Sequence, residues 1–216
     1  PAFYLEEPPS LELAKLTLNE RLAFEQGWAD LKKGNIEGAR REFLKLGQNH
    51  AYFNLGEGYC RLYEGEAEAA EAFFLKAAEL NPDLTPARIG LATIYEEKND
   101  ENRLFVQLRE ILKREPENSW AKPKYEELQG RITNNLIKEA IGLLNQNKKE
   151  EAQQVLLKAL FYSPESREAH WQLARLYRSE KKYDQAINHY QTLSQLAPND
   201  RQILREYAEI LLEHDD

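Results

Sequence analysis

The chain has 216 residues, 42% of them hydrophobic and 31% charged, which is enough apolar material for a packed core and too much for a disordered chain. No run approaches the roughly 18 apolar residues that a membrane-spanning helix needs. Its 29 basic and 37 acidic residues give a net charge of −8, which argues against a nucleic-acid partner, because phosphate-binding surfaces present a basic face.

Cys60 is the only cysteine, so no disulfide forms within the chain and the compartment is not fixed by one. The sequence has no methionine and begins at Pro1. A segment is therefore expected to have preceded it, a signal peptide or a membrane anchor among the options. Localisation stays open between the cytoplasm and an exported or anchored position.

Prolines after apolar runs stand at Pro82, Pro116, Pro164 and Pro198, at intervals of 34, 48 and 34 residues. Other positions keep the same step of 34: Ala140 with Ala174, Leu143 with Tyr177, Ala152 with Ala186, and Leu156 with Tyr190. A fixed period of this length marks stacked repeats. After an N-terminal extension, 1–11, the first subarray spans 12–118. Its first unit, about Glu20 to Gln48, is short and lacks a closing proline. The second carries Tyr52, Leu55, Gly56 and Tyr59, then Ala70, Phe74 and Ala77 before Pro82, with two extra residues in its turn. The third starts at Thr85, and its second helix carries Leu104, Leu108 and Ile111.

Residues 119–132 exceed the period by 14. Pro123 suits a first helical turn, and Tyr125, Leu128, Ile132, Leu136, Ala140 and Leu143 continue one apolar stripe. The spacing predicts a single long helix from about Pro123 to Asn145 that joins the two subarrays. The second subarray, 133–216, shows its repeat most plainly. His170, Leu173, Ala174 and Tyr177 line one helical face, a polar turn runs from Ser179 to Lys182, and Tyr183, Ala186, Ile187, Tyr190 and Leu193 line a second helix that Pro198 stops. Leu204, Tyr207, Ala208 and Leu211 then form a first-helix pattern with no second helix after it. This is either a capping helix, as its polar face of Arg205, Glu206, Glu209 and Glu213 suggests, or a repeat cut short.

Small residues (Gly56, Ala92, Ala140 and Ala174 in first helices; Ala39, Ala70, Ala152 and Ala186 in second ones) alternate with Tyr59, Tyr95, Phe43, Phe74 and Tyr190, so that paired helices interdigitate. The pattern Tyr52, Leu55, Gly56, Tyr59, Ala70, Phe74, Ala77, Pro82 resembles the tetratricopeptide repeat family, and the resemblance covers about residues 20 to 214. It implies an all-α fold, a right-handed superhelical solenoid of antiparallel helix pairs, in which first helices line a concave groove.

On that resemblance, partner-binding positions are the first-helix residues off the packing stripe. They are Phe24 and Trp28; Phe53, Glu57 and Arg61; Ile89 and Thr93; and Trp171, Arg175 and Arg178. Aromatic and arginine side chains commonly dominate interface energies. Phe3, Tyr4 and Leu5 are an alternative cover for Phe24 and Trp28. Some family members hold a terminal carboxylate with lysines and asparagines. Here Phe53 and Ile89 stand at lysine-type positions, and Glu57 and Thr93 at asparagine-type ones, which disfavours that ligand.

Chemistry is absent by pattern. His50, His170, His189 and His214 show no HExxH spacing and no pairing with cysteine. Gly56-Glu57-Gly58 is not a phosphate loop, there is no GxSxG elbow, and the carboxylates from Glu64 to Glu71 read as a solvated face. No catalytic residue, metal or cofactor is expected. The function expected is a non-enzymatic scaffold or adaptor for a protein or peptide, without nucleic acid. The alternative is a homo-oligomeric module that pairs through the terminal or the long helix, suggested by Ile203, Ile210 and Leu212.

Overall fold

The computed structural model describes residues 13–215. The expected extension 1–11, with Phe3, Tyr4 and Leu5, lies outside the described residues. Those residues form eleven α-helices and no strand. In chain order they are α1 Leu18–Lys32, α2 Ile36–Leu44, α3 Ala51–Tyr63, α4 Ala67–Leu80, α5 Thr85–Glu97, α6 Glu101–Arg114, α7 Ala121–Asn145, α8 Lys149–Tyr162, α9 Arg167–Ser179, α10 Tyr183–Leu196 and α11 Arg201–Asp215. Two compact units meet in sequence between Tyr125 and Glu126. That boundary falls inside α7, which begins at Ala121 rather than Pro123.

Local sequence explains where helices start. Thr17 caps α1 with a reciprocal pair, its hydroxyl accepting from the Glu20 amide at 3.4 Å and the Glu20 carboxylate accepting from the Thr17 amide at 2.8 Å. Asp100 and Ser166 cap α6 and α9 one way, their side-chain oxygens accepting from the amides of Arg103 and Ala169. At the turns inside the helix pairs, one residue takes a left-handed backbone. These are Gly34, Gly65, Asn99, Asn147 and Lys181, with φ of 76°, 80°, 54°, 59° and 59°. Glycine and asparagine tolerate that conformation best.

These turn residues fix the repeat register. Gly27, Gly58, Ala92, Ala140 and Ala174 each stand seven residues before one. Phe43, Phe74, Leu108, Leu156 and Tyr190 each follow those small residues by sixteen. All five large residues are fully buried. Each aromatic of the first unit is clasped twice. A Cβ added to Gly27 would lie 2.7 Å from the Phe43 ring, and one added to Gly56 of the next pair would also run into it. The Phe74 ring stands in the same relation to Gly58 and Gly90, at 2.6 and 2.5 Å. Missing Cβ atoms thus make room for a ring between one helix pair and the next.

The second repeat therefore keys on Gly58, not on Gly56. Its turn has no extra residues: Glu64, Gly65 and Glu66 separate α3 from α4, as Glu180, Lys181 and Lys182 separate α9 from α10. Gly56 instead faces the second helix of the preceding pair. A slip of two residues turns a helical position by about 200°, so Tyr52, Leu55 and Tyr59 do not occupy the places that the sequence pattern gave them.

The terminal helix α11 differs from the expected stripe in a related way. Ile203, Glu206 and Ile210 are its buried residues. Leu204 and Leu211 are 42% and 41% exposed, whereas the corresponding His170 and Tyr177 of α9 are buried against α10. The difference has a simple cause: among the described residues no second helix follows α11 to cover that face.

Candidate functional site

The register assigns corresponding positions on each first helix. In α1 they are Phe24, Trp28 and Leu31; in α3, Leu55, Tyr59 and Leu62; in α5, Ile89 and Thr93. In α9 they are Trp171, Arg175 and Arg178, and in α11, Arg205, Glu209 and Leu212. The two units treat this face differently.

In the first unit it is closed along α1 and α3, and of its α5 positions only Ile89 is buried, with Thr93 half-buried and Glu96 exposed. Phe24, Trp28 and Ile89 are 1%, 2% and 0% exposed, and Leu55, Tyr59 and Leu62 are buried with them. Phe24 packs edge-on to Tyr52 with centroids 4.8 Å apart, and Trp28 edge-on to Tyr59 at 5.3 Å. The Tyr59 hydroxyl donates to the Pro86 carbonyl at the start of α5, 2.9 Å away. Thr93 turns its hydroxyl back to the Ile89 carbonyl at 3.0 Å. Phe24, Trp28 and Ile89 were expected on an open groove, and the structure places them in the packing, while Thr93 stays half-buried.

Phe53, Glu57 and Arg61 depart further, because the shifted register puts them on other faces of α3. Phe53 is buried. Glu57 is also buried and is held by Arg40 of α2 and by Arg61, each at 2.9 Å. Arg40 continues to Glu64 at 3.0 Å and Arg61 to Glu66 at 2.6 Å. This chain of charges pins the first helix pair to the second. Cys60 beside it is wholly buried, and desolvation, with Glu57 adding to it, pushes its thiol up to about 12. A thiol so far from ionising is a packing residue rather than a nucleophile.

In the second unit the same face is buried at Ile137 of α7 and open along α9. Trp171 and Arg178 are half-buried and Arg175 is exposed, and the three lie along α9 opposite α11. A cavity of about 460 Å³ is lined by Arg167, Glu168, Trp171, Leu193, Asp200, Gln202 and Ile203. A second, of about 350 Å³, is lined by Arg175, Arg178, Ser179, Arg205, Glu206 and Glu209. Both sizes suit the seating of side chains.

Glu206 holds this wall together. It stands two residues before Ala208, the place that Gly56 and Gly90 take in the first unit, next to the aromatic of the preceding pair. Here that aromatic is Tyr190, and its hydroxyl donates to Glu206 at 2.9 Å. The Trp171 indole N–H donates to the same oxygen at 2.8 Å, and Gln202 to the other at 3.2 Å. Burial pushes the Glu206 carboxyl up, but the hydrogen bonds from Trp171, Gln202 and Tyr190, with Arg175 near by, outweigh it and hold it below its usual range. Arg178 reaches across to Glu209 at 3.3 Å and to Glu213. The guanidinium of Arg175 lies 5.2 Å from the centre of the Trp171 ring.

A histidine pair joins α9 to α10 behind this wall. The Nε2 of His170 is 2.9 Å from the Pro164 carbonyl, and its Nδ1 is 2.8 Å from Nδ1 of His189. A carbonyl cannot donate, so His170 Nε2–H donates to it, and one proton is shared between the two Nδ1 atoms. Burial, with His170 adding to it, brings His189 down from 6.5 to about 4. A group whose folded value is depressed stabilises the fold fully above its unfolded value and loses that contribution as pH falls. The window runs from about 6.5 to about 4. Thermal unfolding is expected to show a lower midpoint at pH 4.5 than at pH 7, and His189→Gln should shrink the gap. An unchanged gap in the variant would assign the acid sensitivity to other groups.

No three His, Cys, Asp or Glu among the described residues are grouped to hold a metal ion, and no described helix is long and apolar enough to cross a membrane.

A family profile described as tetratricopeptide repeat matches residues 24–85 and 137–201. A crystal structure of a TPR repeats protein from Bacteroides fragilis is 17% identical with a TM-score of 0.50, the match covering 91% of this chain and 100% of that one. The P58(IPK) TPR domain is 19% identical with a TM-score of 0.44, and the match covers 91% of this chain and 66% of that one. PilF of Pseudomonas aeruginosa is 16% identical with a TM-score of 0.41, and 90% of each chain is covered. No curated protein sequence matches significantly.

Proposed function

This chain belongs to the tetratricopeptide repeat family, a fold used generally for protein–protein interaction, and from that premise we propose that it is a non-enzymatic scaffold that binds a protein or peptide. The observation that carries the proposal is the open face of the second unit. Trp171, Arg175 and Arg178 line two neighbouring cavities there, while most of the equivalent positions of the first unit are spent on packing. An indole and guanidinium groups at a concave surface are the residue types that dominate interface energies. Affinity capture from the source cell extract, comparing the wild-type chain with a folded Trp171→Ala, Arg175→Ala variant, tests it. A protein held by the first and lost by the second is the expected result. Identical captures would move the contact away from this face.

A second reading, self-association, is favoured by the uncovered side of α11, where Leu204 and Leu211 are 42% and 41% exposed. Exposed leucines in one stripe are a common mark of helix pairing. Light scattering over a wide dilution series separates the two readings. A constant monomer mass sinks the second, and a dimer mass that Leu211→Glu abolishes would establish it.

A further inference from the structure

Building on the concave-face reading, we propose that the groove between α9 and α11 recognises a peptide in which an apolar side chain lies next to carboxylate side chains. The argument is an accounting of donors and acceptors. Every carboxylate that lines the two cavities is already engaged. Glu206 accepts from Trp171, Tyr190 and Gln202, and Glu209 bridges Arg178 and Arg205 at 3.3 and 3.4 Å. Asp200 caps α11 through the amides of Gln202 and Ile203, and Glu168 accepts from Gln172.

The cations are not matched in the same way. The Arg175 guanidinium stands over the Trp171 ring, 5.2 Å from its centre, and among the described residues neither Arg175 nor Arg167 makes a salt bridge. Arg205 is held by one oxygen only, with its side chain 74% exposed. A guanidinium has five donors and no acceptor, so the capacity left over at this surface is for acceptors. Arg175, Arg178 and Arg205 converge on the cavity of about 350 Å³, and a carboxylate placed there meets planar donors suited to two-point hydrogen bonding. The neighbouring cavity of about 460 Å³ has an apolar wall of Trp171, Leu193 and Ile203, which suits a Leu, Ile or Phe side chain. The two linings carry four arginines, Arg167, Arg175, Arg178 and Arg205, against four carboxylates, Glu168, Asp200, Glu206 and Glu209, so the groove is balanced in charge where the whole chain is at −8, and its preference rests on the unmatched guanidinium donors.

The test uses a random dodecapeptide library displayed on phage. It is selected against the full chain and then measured against two variants checked for folding by circular dichroism, Arg175→Gln with Arg205→Gln, and Trp171→Ala. Wild-type clones are expected to share an apolar residue beside Asp or Glu and to weaken as salt rises. They should bind the arginine variant about tenfold or more weakly, the loss of one or more charge-assisted hydrogen bonds. Clones without carboxylates, or clones that bind the arginine variant as well as wild type, overturn the acidic preference. If such clones are still lost on Trp171→Ala, the concave-face reading stands and only the ligand class falls. If they bind that chain equally, or if no clone is enriched, both fall.

Discussion

Phe74→Ala is expected to cost about 3–5 kcal/mol of unfolding free energy, the range for removing a fully buried phenylalanine ring from a core that cannot collapse around the gap. Three observations support the upper part of that range. The ring is 0% exposed, it meets Tyr59 edge-on with centroids 4.8 Å apart, and it fills the space left by Gly58 of its own pair and Gly90 of the next. Truncation therefore loosens two interfaces, one within a repeat and one between repeats. The converse change should also destabilise. A Cβ added by Gly90→Ala would lie 2.5 Å from the same ring, and relieving that overlap should cost about 1–3 kcal/mol. Urea unfolding checks both. A Phe74→Ala loss below about 1 kcal/mol, well under the usual range for this change, would show that the ring-and-glycine lock is not what binds adjacent pairs.

Glu206→Leu is expected to lose about 2–4 kcal/mol, because it removes the acceptor for Tyr190, Trp171 and the exposed Gln202 while keeping the volume similar. Tyr190 is 0% exposed, so its hydroxyl would be stranded in the core with no water to turn to. The half-buried Trp171 indole can regain solvent and should account for less of the cost. Two controls isolate the hydrogen bonds. Glu206→Gln keeps an acceptor oxygen and should cost about 1 kcal/mol, the scale of a single net hydrogen bond. Tyr190→Phe placed in the Glu206→Leu background should recover part of the loss, since the stranded donor is then gone. Hydrogen exchange would locate the effect, with amides of α11 losing protection first. Unchanged protection in α11 would mean that this helix is held by Ile203 and Ile210 alone.

How much of this was readable beforehand depends on the kind of information each feature needs. The long helix, the position of most turns and the small-large alternation are visible as spacing. Trp171, Arg175 and Arg178 could be placed together on one face of a first helix because the C-terminal repeat keeps the period cleanly. The second repeat misled because Gly56 and Gly58 are both glycines in the same helix, and Tyr52, Leu55 and Tyr59 imitate the family pattern around the wrong one. A signal for the correct choice was present: Gly65, the left-handed turn residue, stands seven residues after Gly58, as Lys181 does after Ala174. Glu206 was assigned to a polar face, since a carboxylate at that place reads as solvated unless the buried hydroxyl it serves is known.

The sequence by itself determined the helix pairs, their period and the fold class, because these follow from local spacing, caps and turns that act over a few residues. Tertiary structure alone decided which face of α3 is inside, why Glu57 is an ion-pair residue, and which of the corresponding first-helix positions remain open. Those outcomes depend on side chains tens of residues apart meeting across helices. A helix has several apolar faces to offer, and only the neighbours that pack against it select one.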